Sequence, residues 1–596
     1  MVVAGRFLRK AQGASAEQAA AVVAEAYDYI IVGGGTAGCV LANRLTAGGT
    51  GKRVLVLEAG RSDFDTLLVK IPAGILRLFR SKYDWNFNTS NEKGTSGRSI
   101  YLCRGKVLGG SSCLNVQLYT RGNADDYNVW ETEFGCKGWS SDEVLPYFRR
   151  TEDDRTGLAA SDSKHHAAGG EWAVDNVRYQ NPLSKCFLKA CQQMGIALND
   201  DFNNWDRSQE GVGRFLVSQR NGARCSSASA LLEPALADPG RCIRILTASP
   251  ARKVLLEDAS AASGPRAMGV TFRAGGVEHV ARLAPGGEVL LSGGAIQTPQ
   301  LLMLSGIGPS AHLQEHGIEV VKDLPGVGGN LQDHPAAVVS YECPPEQKGI
   351  SVTSMVIRVA GVVMPHPKFV LEWALYGTGP LTTPGCDHGG FFRTAAAPQG
   401  TKSADLQMRF LAARAITADG MGTFTKFKES ANLADGFSFQ SIAVRPSSRG
   451  RVLLASADPD DQPIIEGNYL TEKGDVATIR EGLKLSRKLA QQPVFKEMLG
   501  EEVFPGPEIQ TDAQLDAYIA ASVHTANALV GTCRMGPEDD AQAVCDPEMR
   551  VRGVRGLRVC DASLMPKLPG GQSGAAVVMM AERAAEMILG SSKKAE

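Results

Sequence analysis

The sequence predicts an α/β fold, in which a doubly wound, mostly parallel sheet is interrupted by a discontinuous α+β domain built on an antiparallel sheet. Three observations support this prediction: a strand–glycine turn–helix–strand unit near the N-terminus, short buried-strand runs that recur far along the chain, and alternating apolar stretches between them. A chain of 596 residues is too long for one hydrophobic core, so two large units are expected.

The N-terminal unit contains a nucleotide-binding fingerprint. An apolar run at residues 29–32 leads into the motif Gly33-x-Gly35-x-x-Gly38, a helix-like stretch follows, and a second apolar run ends on Glu58. In such a Rossmann-like unit the glycines allow a sharp turn close to a pyrophosphate, whose charge is stabilised at the helix N-terminus. Glu58 is placed to accept hydrogen bonds from a ribose. The sequence therefore predicts dinucleotide binding.

The order of these signals predicts how the domains divide the chain. Short strand runs at residues 289–291 and 557–560 belong with the N-terminal unit, whereas alternating stretches at 437–444 and 451–455 favour an antiparallel sheet. We predict an N-terminal extension with a short helix (1–26), a dinucleotide-binding domain (27–125, 205–340 and 525–596) and a substrate-binding domain (126–204 and 341–524).

Composition excludes several classes of function. The 63 basic and 64 acidic residues provide no bulk field for nucleic acid. No apolar run approaches the roughly 18 residues of a membrane span, so we predict no integral membrane segment, while a peripheral membrane contact stays open. The 13 cysteines are scattered without CxxC pairs, which favours reduced thiols. We predict no metal site, because no third ligand follows His165–His166 at suitable spacing.

Three further motifs establish a resemblance to a known family. Residues 105–115 (GKVLGGSSCLN), 294–308 (GAIQTPQLLMLSGIG) and 556–563 (GLRVCDAS) occur in order along the chain. They resemble the signatures of the glucose–methanol–choline (GMC) oxidoreductases, over about residues 27–585. The resemblance implies a flavin cofactor, and the pyrophosphate turn together with the ribose acid favours FAD over FMN.

The resemblance and the fingerprint together imply a set of cofactor contacts. Small residues in the first signature would let the backbone lie against a flat ring system. The expected FAD-binding residues are Gly33, Gly35, Thr36, Ala37, Gly38, Glu58, Leu108, Gly109, Ser112, Asn115, Val116, Gln117, Leu118, Tyr119, Val254, Asp561 and Gly574.

The chain departs from the family at its catalytic positions. The alcohol oxidases and dehydrogenases of this family carry a histidine four residues before the Thr-Cys of a Gly-Thr-Cys motif. Here the motif is Gly531-Thr532-Cys533, and the corresponding residue is Ala528, which cannot accept a proton. The second catalytic position is Gln572. His524 lies nearby at helix-like spacing, with Asn527 between, and stays a candidate base.

Two unusual residues occur in the predicted substrate domain. Cys386 lies in a glycine-rich loop, and Arg409 is a lone cation in an apolar strand pattern. Each has an ordinary alternative, a buried small thiol and an outward-facing arginine respectively. With Ala528, this pair resembles the algal fatty acid photodecarboxylases, a branch of the GMC family. That resemblance adds Phe424, where an aromatic residue is expected, and Gln440 as substrate neighbours.

The resemblance implies a reaction and assigns roles to these residues. A long-chain free fatty acid would be decarboxylated to an alkane or alkene one carbon shorter, by one-electron oxidation of its carboxylate by photoexcited FAD, with no general base required. The implied catalytic residues are Cys386, Arg409, His524, Asn527 and Gln572, and the implied substrate contacts are Cys386, Arg409, Phe424 and Gln440.

Several details of this scheme are expectations. The pKa of the Cys386 thiol should fall if Arg409 is close, and the thiol either positions substrate or serves a late hydrogen transfer. Apolar stretches at 355–364 and 369–375 either line a tunnel for the fatty tail or pack in the core. By the resemblance the protein is chloroplastic, and the basic N-terminus is either a transit-peptide remnant or a basic tail.

Two other functions stay open on the sequence. The first is a dark FAD-dependent alcohol oxidase or dehydrogenase, with His524 as the base. The second is a non-enzymatic flavin protein that senses light through the same pocket.

Overall fold

The computed structural model describes residues 16–62, 66–257, 264–359, 362–397, 400, 402–426 and 434–595. Two seven-stranded sheets organise this part of the chain. Most of the predicted N-terminal extension, residues 1–15, lies outside it. Within it, no helix combines the length and apolar character needed to cross a bilayer.

The first sheet is parallel at its centre. Strand Ala26–Val32 pairs in parallel with strand Arg53–Leu57 on one side and with strand Val277–Leu291 on the other. Its residues are almost all buried, as expected for a strand covered on both faces. The strand order is Cys242–Leu246, Arg53–Leu57, Ala26–Val32, Val277–Leu291, Ala267–Ala274 and Ala251–Leu256, with Leu557–Val559 also paired to Val277–Leu291.

Helices Thr36–Thr46, Gly294–Leu304 and Ser573–Ala595 accompany this sheet. The first packs on the last, and a buried ion pair joins them, with Arg44 Nε 2.9 Å from the carboxylate of Glu582. The chain's last helix is thereby fastened to the helix of the nucleotide fingerprint, although more than 500 residues separate them.

The second sheet is antiparallel throughout. Its order is Glu502–Phe504, Pro335–Glu342, Gly436–Ala443, Leu406–Leu411, His388–Phe392 and Gly211–Arg214, with His524–Thr525 also paired to Pro335–Glu342. Its helices are Pro182–Gln193, Lys473–Ala490 and Asp512–Ser522. The two sheets confirm the predicted fold class.

The two faces of the second sheet differ in character. Alternate side chains point to opposite faces of a strand, so Met408 and Phe410 share one face and Gln407 and Arg409 the other. The first face carries a phenylalanine cluster, in which Phe437 stacks on Phe495 at 4.8 Å between ring centroids. The opposite face is therefore free to present polar side chains.

The remaining elements are short and connect the two sheets. The helices are Ala16–Val23, Leu67–Lys70, Ile75–Leu78, Ala124–Thr132, Ser141–Thr151, Leu158–Ser161, Glu233–Ala237, Ser310–Glu315, Pro367–Tyr376 and Gly422–Thr425. The paired strands are Phe87–Asn88 with Tyr101–Leu102, Leu118–Tyr119 with Leu216–Val217, Glu152–Asp154 with Trp172–Val174, Gln219–Arg220 with Ala223–Arg224, Ile307–Gly308 with Lys322–Asp323, Val356–Val359 with Val362–Pro365, and Arg451–Leu453 with Ile464–Glu466.

The structure differs from the sequence expectation in two places. Strands Gly211–Arg214 and Pro335–Glu342 lie in the second sheet, although both fall largely inside the segment 205–340 assigned to the dinucleotide-binding domain. The stretch 369–375 was expected to line a tunnel or pack in the core, and that expectation is wrong: it belongs to helix Pro367–Tyr376, which has no buried residue. Amphipathic pattern alone did not reveal which way this helix faces.

Substitution Gly38→Ala tests the packing of the fingerprint turn. A Cβ at Gly38 would lie 2.1 Å from the backbone oxygen of Gly33, so the turn must shift. We expect a loss of about 1–3 kcal/mol in the free energy of unfolding, measured by urea denaturation. The control is Gly474→Ala in helix Lys473–Ala490, where a Cβ meets nothing within 4 Å and the change should be neutral or stabilising by up to about 1 kcal/mol. Equal midpoints for the two variants would contradict the packing argument.

Candidate active site

Both sheets contribute to one large cavity. The first sheet supplies the carboxyl ends of its parallel strands, at Leu57 and Leu291, and the second sheet supplies Arg409 and Gln440. The carboxyl ends of parallel strands are where doubly wound sheets bind their ligands. The cavity therefore joins the expected nucleotide site to the polar face of the second sheet.

At the nucleotide end, two glycine turns approach each other too closely for side chains. Gly33 has φ +100°, and a Cβ there would lie 2.5 Å from the oxygen of Ser292. A Cβ at Gly110 would lie 2.7 Å from the Cα of Gly35. The fingerprint and the first family signature thus pack backbone against backbone, and both line the cavity.

Glu58 lines the cavity at the end of its strand. Its two carboxylate oxygens each accept one backbone N–H, from Gly34 at 2.8 Å and from Gly60 at 2.7 Å. Burial raises the pKa of the Glu58 carboxyl to about 7, against these two hydrogen bonds. A carboxylate oxygen can accept more than one hydrogen bond, so a ribose hydroxyl would find an acceptor here.

Asp561 also lines the cavity, but its oxygens are occupied by the protein. One oxygen accepts from the amide of Gly294 at 2.8 Å and from the hydroxyl of Thr298 at 2.6 Å. The other accepts from the amide and hydroxyl of Ser563, at 2.8 and 2.6 Å. Asp561 therefore clamps the end of strand Leu557–Val559 to the start of helix Gly294–Leu304.

The segment after the first signature offers a donor without an acceptor. Gln117, with φ +61°, accepts a hydrogen bond from Gln219 at 2.8 Å through its side-chain oxygen. Its amide nitrogen is buried and has no partner in the described part of the chain, and the residue lines the cavity. An unpaired buried donor, the glycine turns and Glu58 are what a flavin dinucleotide would use, so the residues present fit FAD.

The structure brings most of the expected cofactor residues to one cavity. Those that line it are Gly33, Gly35, Thr36, Ala37, Glu58, Ser112, Asn115, Val116, Gln117, Leu118, Asp561 and Gly574. Those that do not are Gly38, Leu108, Gly109, Tyr119 and Val254. Val254 lies inside strand Ala251–Leu256 and donates its amide to Ser305 Oγ at 2.9 Å.

Arg409 is a buried cation that faces the cavity. Its exposed fraction is 5%, and its guanidinium forms no hydrogen bond or ion pair within the described residues; its Nε is buried without an acceptor. Burial lowers the pKa of the guanidinium, which stays charged at neutral pH. A buried charge is costly unless it is paired, so this position calls for an anionic ligand.

Cys386 lies near Arg409 and also lines the cavity. The expectation of a lowered thiol pKa is wrong. Burial raises the pKa of Cys386 to about 12, and the attraction of Arg409 for the thiolate does not overcome the loss of hydration. At neutral pH the side chain is a protonated thiol.

His524 is held by a residue of the second sheet. Its Nε2 lies 2.7 Å from the amide nitrogen of Gln440, and its Nδ1 is buried without a partner in the described residues. Burial, with Arg409 and Arg98 adding, lowers the pKa of His524 to about 4 despite Asp419. The residue sits in strand His524–Thr525 and not on a helix, so the helix-like spacing to Ala528 does not apply.

Asn527 presents its amide group in one defined orientation. The residue has φ +62°, its side-chain oxygen accepts from the amide of Cys103 at 3.1 Å, and its backbone oxygen accepts from Arg104 at 2.5 Å. Its NH2 group is therefore the end left for a ligand in the cavity. Ala528, next along the chain, adds a methyl group to the lining.

A buried carboxylate, Asp333, holds this segment in place. It accepts hydrogen bonds from the amide of Ala528 at 2.7 Å, from the hydroxyl of Tyr469 at 2.5 Å and from the hydroxyl of Thr525. Asp333 is not among the site residues expected from the sequence. Only the fold identifies it, since these partners are 136 to 195 residues away.

Gln572 is engaged by two neighbours. Its side-chain nitrogen donates to Gln407 Oε1 at 2.7 Å, and its side-chain oxygen accepts from the Thr120 hydroxyl at 2.7 Å. The same hydroxyl accepts from the Gln572 backbone amide at 2.9 Å. The side-chain amide of Gln572 is thus fixed in orientation where it lines the cavity.

His334 is a second imidazole in the cavity lining, and the sequence analysis missed it. Its Nε2 lies 3.1 Å from the oxygen of Val444, so that nitrogen carries the proton, and its buried Nδ1 has no partner among the described residues. Burial, and then Arg409, lower the pKa of His334 to about 3.

Two further residues were expected to contact the substrate. Gln440 lines the cavity, and the side chain of Phe424 lies outside the described part of the structure.

The His165–His166 pair lies apart from the cavity. Ligand atoms of Asp162, His166 and Asp201 come within 4.8 Å of one another, so the sequence argument from spacing overlooked Asp201. Both ring nitrogens of His166 are already used, by Glu152 at 3.0 Å and Asp201 at 2.9 Å. Against the cost of burial, these carboxylates raise the pKa of His166 to about 9, and the cluster is an internal ion network.

Comparison with known proteins identifies relatives along nearly the whole chain. "Fatty acid photodecarboxylase, chloroplastic" of Chlamydomonas reinhardtii is 44% identical over 95% of this chain and 91% of the relative. "Alcohol dehydrogenase [acceptor]" of Pseudomonas putida is 38% identical over 94% of this chain and 96% of its own. "Oxygen-dependent choline dehydrogenase" of Brucella suis is 37% identical over 94% and 95%.

Solved structures agree with this relationship. A formate oxidase from Aspergillus oryzae, studied for its FAD modification, aligns with a TM-score of 0.84 at 27% identity and covers 96% of this chain and 99% of its own. Pyridoxine 4-oxidase from Mesorbium loti aligns with a TM-score of 0.78 at 27% identity, covering 94% and 98%. The cofactor of this protein is accordingly FAD.

The family profiles match two segments that include both ends of the cavity. The N-terminal GMC oxidoreductase profile matches residues 27–336 and the C-terminal profile matches residues 446–581. By these matches and by the whole-chain identities, the chain belongs to the GMC oxidoreductase family.

Proposed function

We propose that this protein is a light-dependent carbon–carbon lyase that decarboxylates long-chain fatty acids. A saturated acid would yield an alkane and an unsaturated acid an alkene, each one carbon shorter, together with carbon dioxide. The observation that carries the proposal is the buried, unpaired Arg409 in a cavity where Ala528 replaces the family's catalytic base. The relative named as a fatty acid photodecarboxylase supports it.

In the proposed reaction the FAD cofactor supplies only electron transfer. When bound beside Arg409 and Cys386, FAD would supply light-driven one-electron chemistry, taking an electron from the carboxylate and giving it back once carbon dioxide has left, so that the overall reaction would need only a proton. The protein must otherwise bind the fatty acid, orient its carboxylate and supply hydrogen to the product. These tasks belong to the side chains of the cavity.

Arg409 binds the substrate carboxylate in this proposal. It lies directly opposite Gln440 in the antiparallel pairing, so the two side chains share the cavity face of the second sheet. A charge-assisted hydrogen bond contributes about 1.5–3 kcal/mol. The Asn527 NH2 group is a further donor for an anion.

The fatty tail would occupy the apolar part of the lining. This part consists of side chains from the second sheet and the segments beside it: Phe79, Val338, Leu411, Ala413, Ala415 and Met421. Each buried methylene contributes about 0.8 kcal/mol, so a sixteen-carbon chain supplies on the order of 10 kcal/mol before the costs of association. The tail therefore sets affinity and Arg409 sets position.

Cys386 is suited to supply hydrogen. With its pKa near 12, the thiol keeps its S–H at every pH at which the protein would work. It lies in the same cavity as Arg409, next to the proposed carboxylate site. We assign it to the late hydrogen transfer: the S–H bond would break as the new C–H bond forms, and the returned electron with a proton from solvent would restore the thiol. A thiolate has no hydrogen to give in this step.

A dark alcohol oxidase or dehydrogenase is the second candidate. Relatives named as alcohol and choline dehydrogenases, at 37–38% identity, favour it, as do two imidazoles in the cavity lining. Against it, the pKa values of His334 and His524, about 3 and about 4, make both weak bases at neutral pH.

The word chloroplastic in the name of the algal relative supports a plastid location.

The proposal is tested by illuminating the FAD-loaded protein with palmitate and assaying pentadecane by gas chromatography. We expect product under blue light and none in the dark. Arg409→Ala should lower kcat/KM roughly 10- to 100-fold, because one charge-assisted contact is lost. The control Arg214→Ala removes an arginine of the edge strand Gly211–Arg214, outside the cavity lining, and should keep full activity. Absence of product from the illuminated wild type would refute the function.

Substitution Cys386→Ser tests the hydrogen-transfer role. We expect at least a tenfold loss of illuminated turnover with the flavin spectrum unchanged, while the exposed Cys242→Ser stays at the wild-type rate. Because the pKa of Cys386 is raised to about 12, wild-type turnover should not fall as pH rises from 7 to 10. A loss of turnover centred near pH 8, absent from Cys386→Ser, would instead mean that the thiol titrates at its ordinary pKa.

Anaerobic titration in the dark tests the alcohol-oxidising alternative. We expect no bleaching of the flavin absorbance by primary alcohols or choline, since neither His334 nor His524 is an effective base. The measurement is repeated with His524→Ala. Bleaching in the wild type that His524→Ala abolishes would establish the alternative and the catalytic role of His524.

A further inference from the structure

Exposed apolar side chains are concentrated in one part of the surface. Eleven large apolar residues are exposed in the described part of the chain, and six of them fall on residue 67 and residues 364–376. We call these six the apolar patch: Leu67, Met364, Val370, Leu371, Leu375 and Tyr376. Their exposed fractions run from 39% to 70%, whereas single exposed apolar residues elsewhere are ordinary.

The centre of the patch is helix Pro367–Tyr376. Leu371 and Leu375 are about one helical turn apart, Val370 directly precedes Leu371, and all three are exposed. The inner side is fastened to the body by Trp373, whose indole nitrogen donates to the oxygen of Gly222 at 2.9 Å. The outer apolar face is therefore held outward by a specific contact.

The other members of the patch are adjacent to this helix. Helix Leu67–Lys70 is fastened to the segment 222–224, which also holds Trp373, because Arg224 Nε donates to the oxygen of Val69 at 2.9 Å. The hairpin that carries Met364 is tied to helix Ile75–Leu78 by a hydrogen bond from Arg77 to the oxygen of Val363. These bonds anchor the segments of Leu67 and Met364 to the elements that border helix Pro367–Tyr376.

The exposed, unpaired charges that flank the patch in the described part of the chain are positive. Lys70 and Lys368 are exposed, each within three residues of a patch member, and neither forms an ion pair within the described residues. Glu372 turns inward, where its carboxylate accepts from the Thr378 hydroxyl at 3.4 Å. Apolar side chains flanked by unpaired lysines match the interface of an anionic membrane.

The patch lies close to the apolar end of the cavity. Phe79, which follows helix Ile75–Leu78, lines the cavity, and that helix packs on the Gly422–Thr425 helix next to Met421, another lining residue. A single short segment, residues 71–79, therefore separates the patch from the proposed tail site.

We propose that the apolar patch docks this protein on the surface of a bilayer that contains anionic lipid, with helix Pro367–Tyr376 lying in the interface. The helix is too short to span a membrane, and its three half-buried residues, Phe369, Glu372 and Trp373, mark the side turned to the protein, which suits an interfacial position. That the bilayer also delivers the substrate rests on the proposed function, since long-chain fatty acids reside in membranes.

The test is vesicle flotation of the FAD-loaded protein in the dark. Wild type should float with vesicles of phosphatidylglycerol and phosphatidylcholine, and less with phosphatidylcholine alone. Leu371→Ser/Leu375→Ser should weaken binding at least tenfold, and Lys70→Gln or Lys368→Gln roughly fivefold each at low salt. The matched control Leu198→Ser/Val277→Ser removes equally exposed side chains elsewhere and should bind as wild type.

Three results would overturn docking: no flotation with either vesicle, equal binding by Leu371→Ser/Leu375→Ser, or a wild-type dimer in analytical ultracentrifugation that this variant converts to monomer. The last would make the patch a contact between copies. Pentadecane formation from albumin-delivered palmitate, assayed separately, should be unchanged in the variant. Flotation without any pentadecane from wild type would refute the function and leave docking standing.

Discussion

The cavity is organised around a guanidinium that no described protein anion balances. Arg409 lies on the polar face of the second sheet, and its field acts on every titratable neighbour. It opposes protonation of His334 and His524, and burial keeps the Cys386 thiol neutral beside it. Burial first and the charge of Arg409 second thus leave both imidazoles weak bases, and the unpaired guanidinium is suited to an anionic ligand.

The carboxylates near the cavity serve a different purpose. Asp333 and Asp561 are buried, and each accepts hydrogen bonds from backbone amides and hydroxyls that lie far apart in the chain. Such bonds hold loops where ordered secondary structure ends. Because their oxygens are already occupied, neither is available as a general base, which reinforces the character that Arg409 gives the site.

The nucleotide end was predictable from the sequence because its determinants are local. The glycine spacing, the flanking apolar runs and Glu58 all lie within residues 29–58, and each has a direct conformational meaning. Arg409 and Cys386 were recognised by resemblance. His334, Asp333 and Gln407 were not, since their roles come from partners on other strands and sequence spacing does not encode such contacts.

Two other predictions from the sequence were wrong, one about which residues are buried and one about the pKa of a thiol. Residues 369–375 have the apolar content of a core helix, and only their exposure in the folded chain shows that Val370, Leu371 and Leu375 are turned outward. The thiol pKa of Cys386 was expected to follow its charged neighbour, yet burial is the larger effect. Both errors arise because burial is a property of the folded molecule.

The paired amides of Gln407 and Gln572 have a consequence for how these two positions can vary. Replacing either partner alone would leave the other amide without its hydrogen bond, at a cost of about 1–3 kcal/mol. The effects of substitutions at the two positions should therefore not add, because the residues share one hydrogen bond. A change at either glutamine is expected to be tolerated best when its partner changes with it.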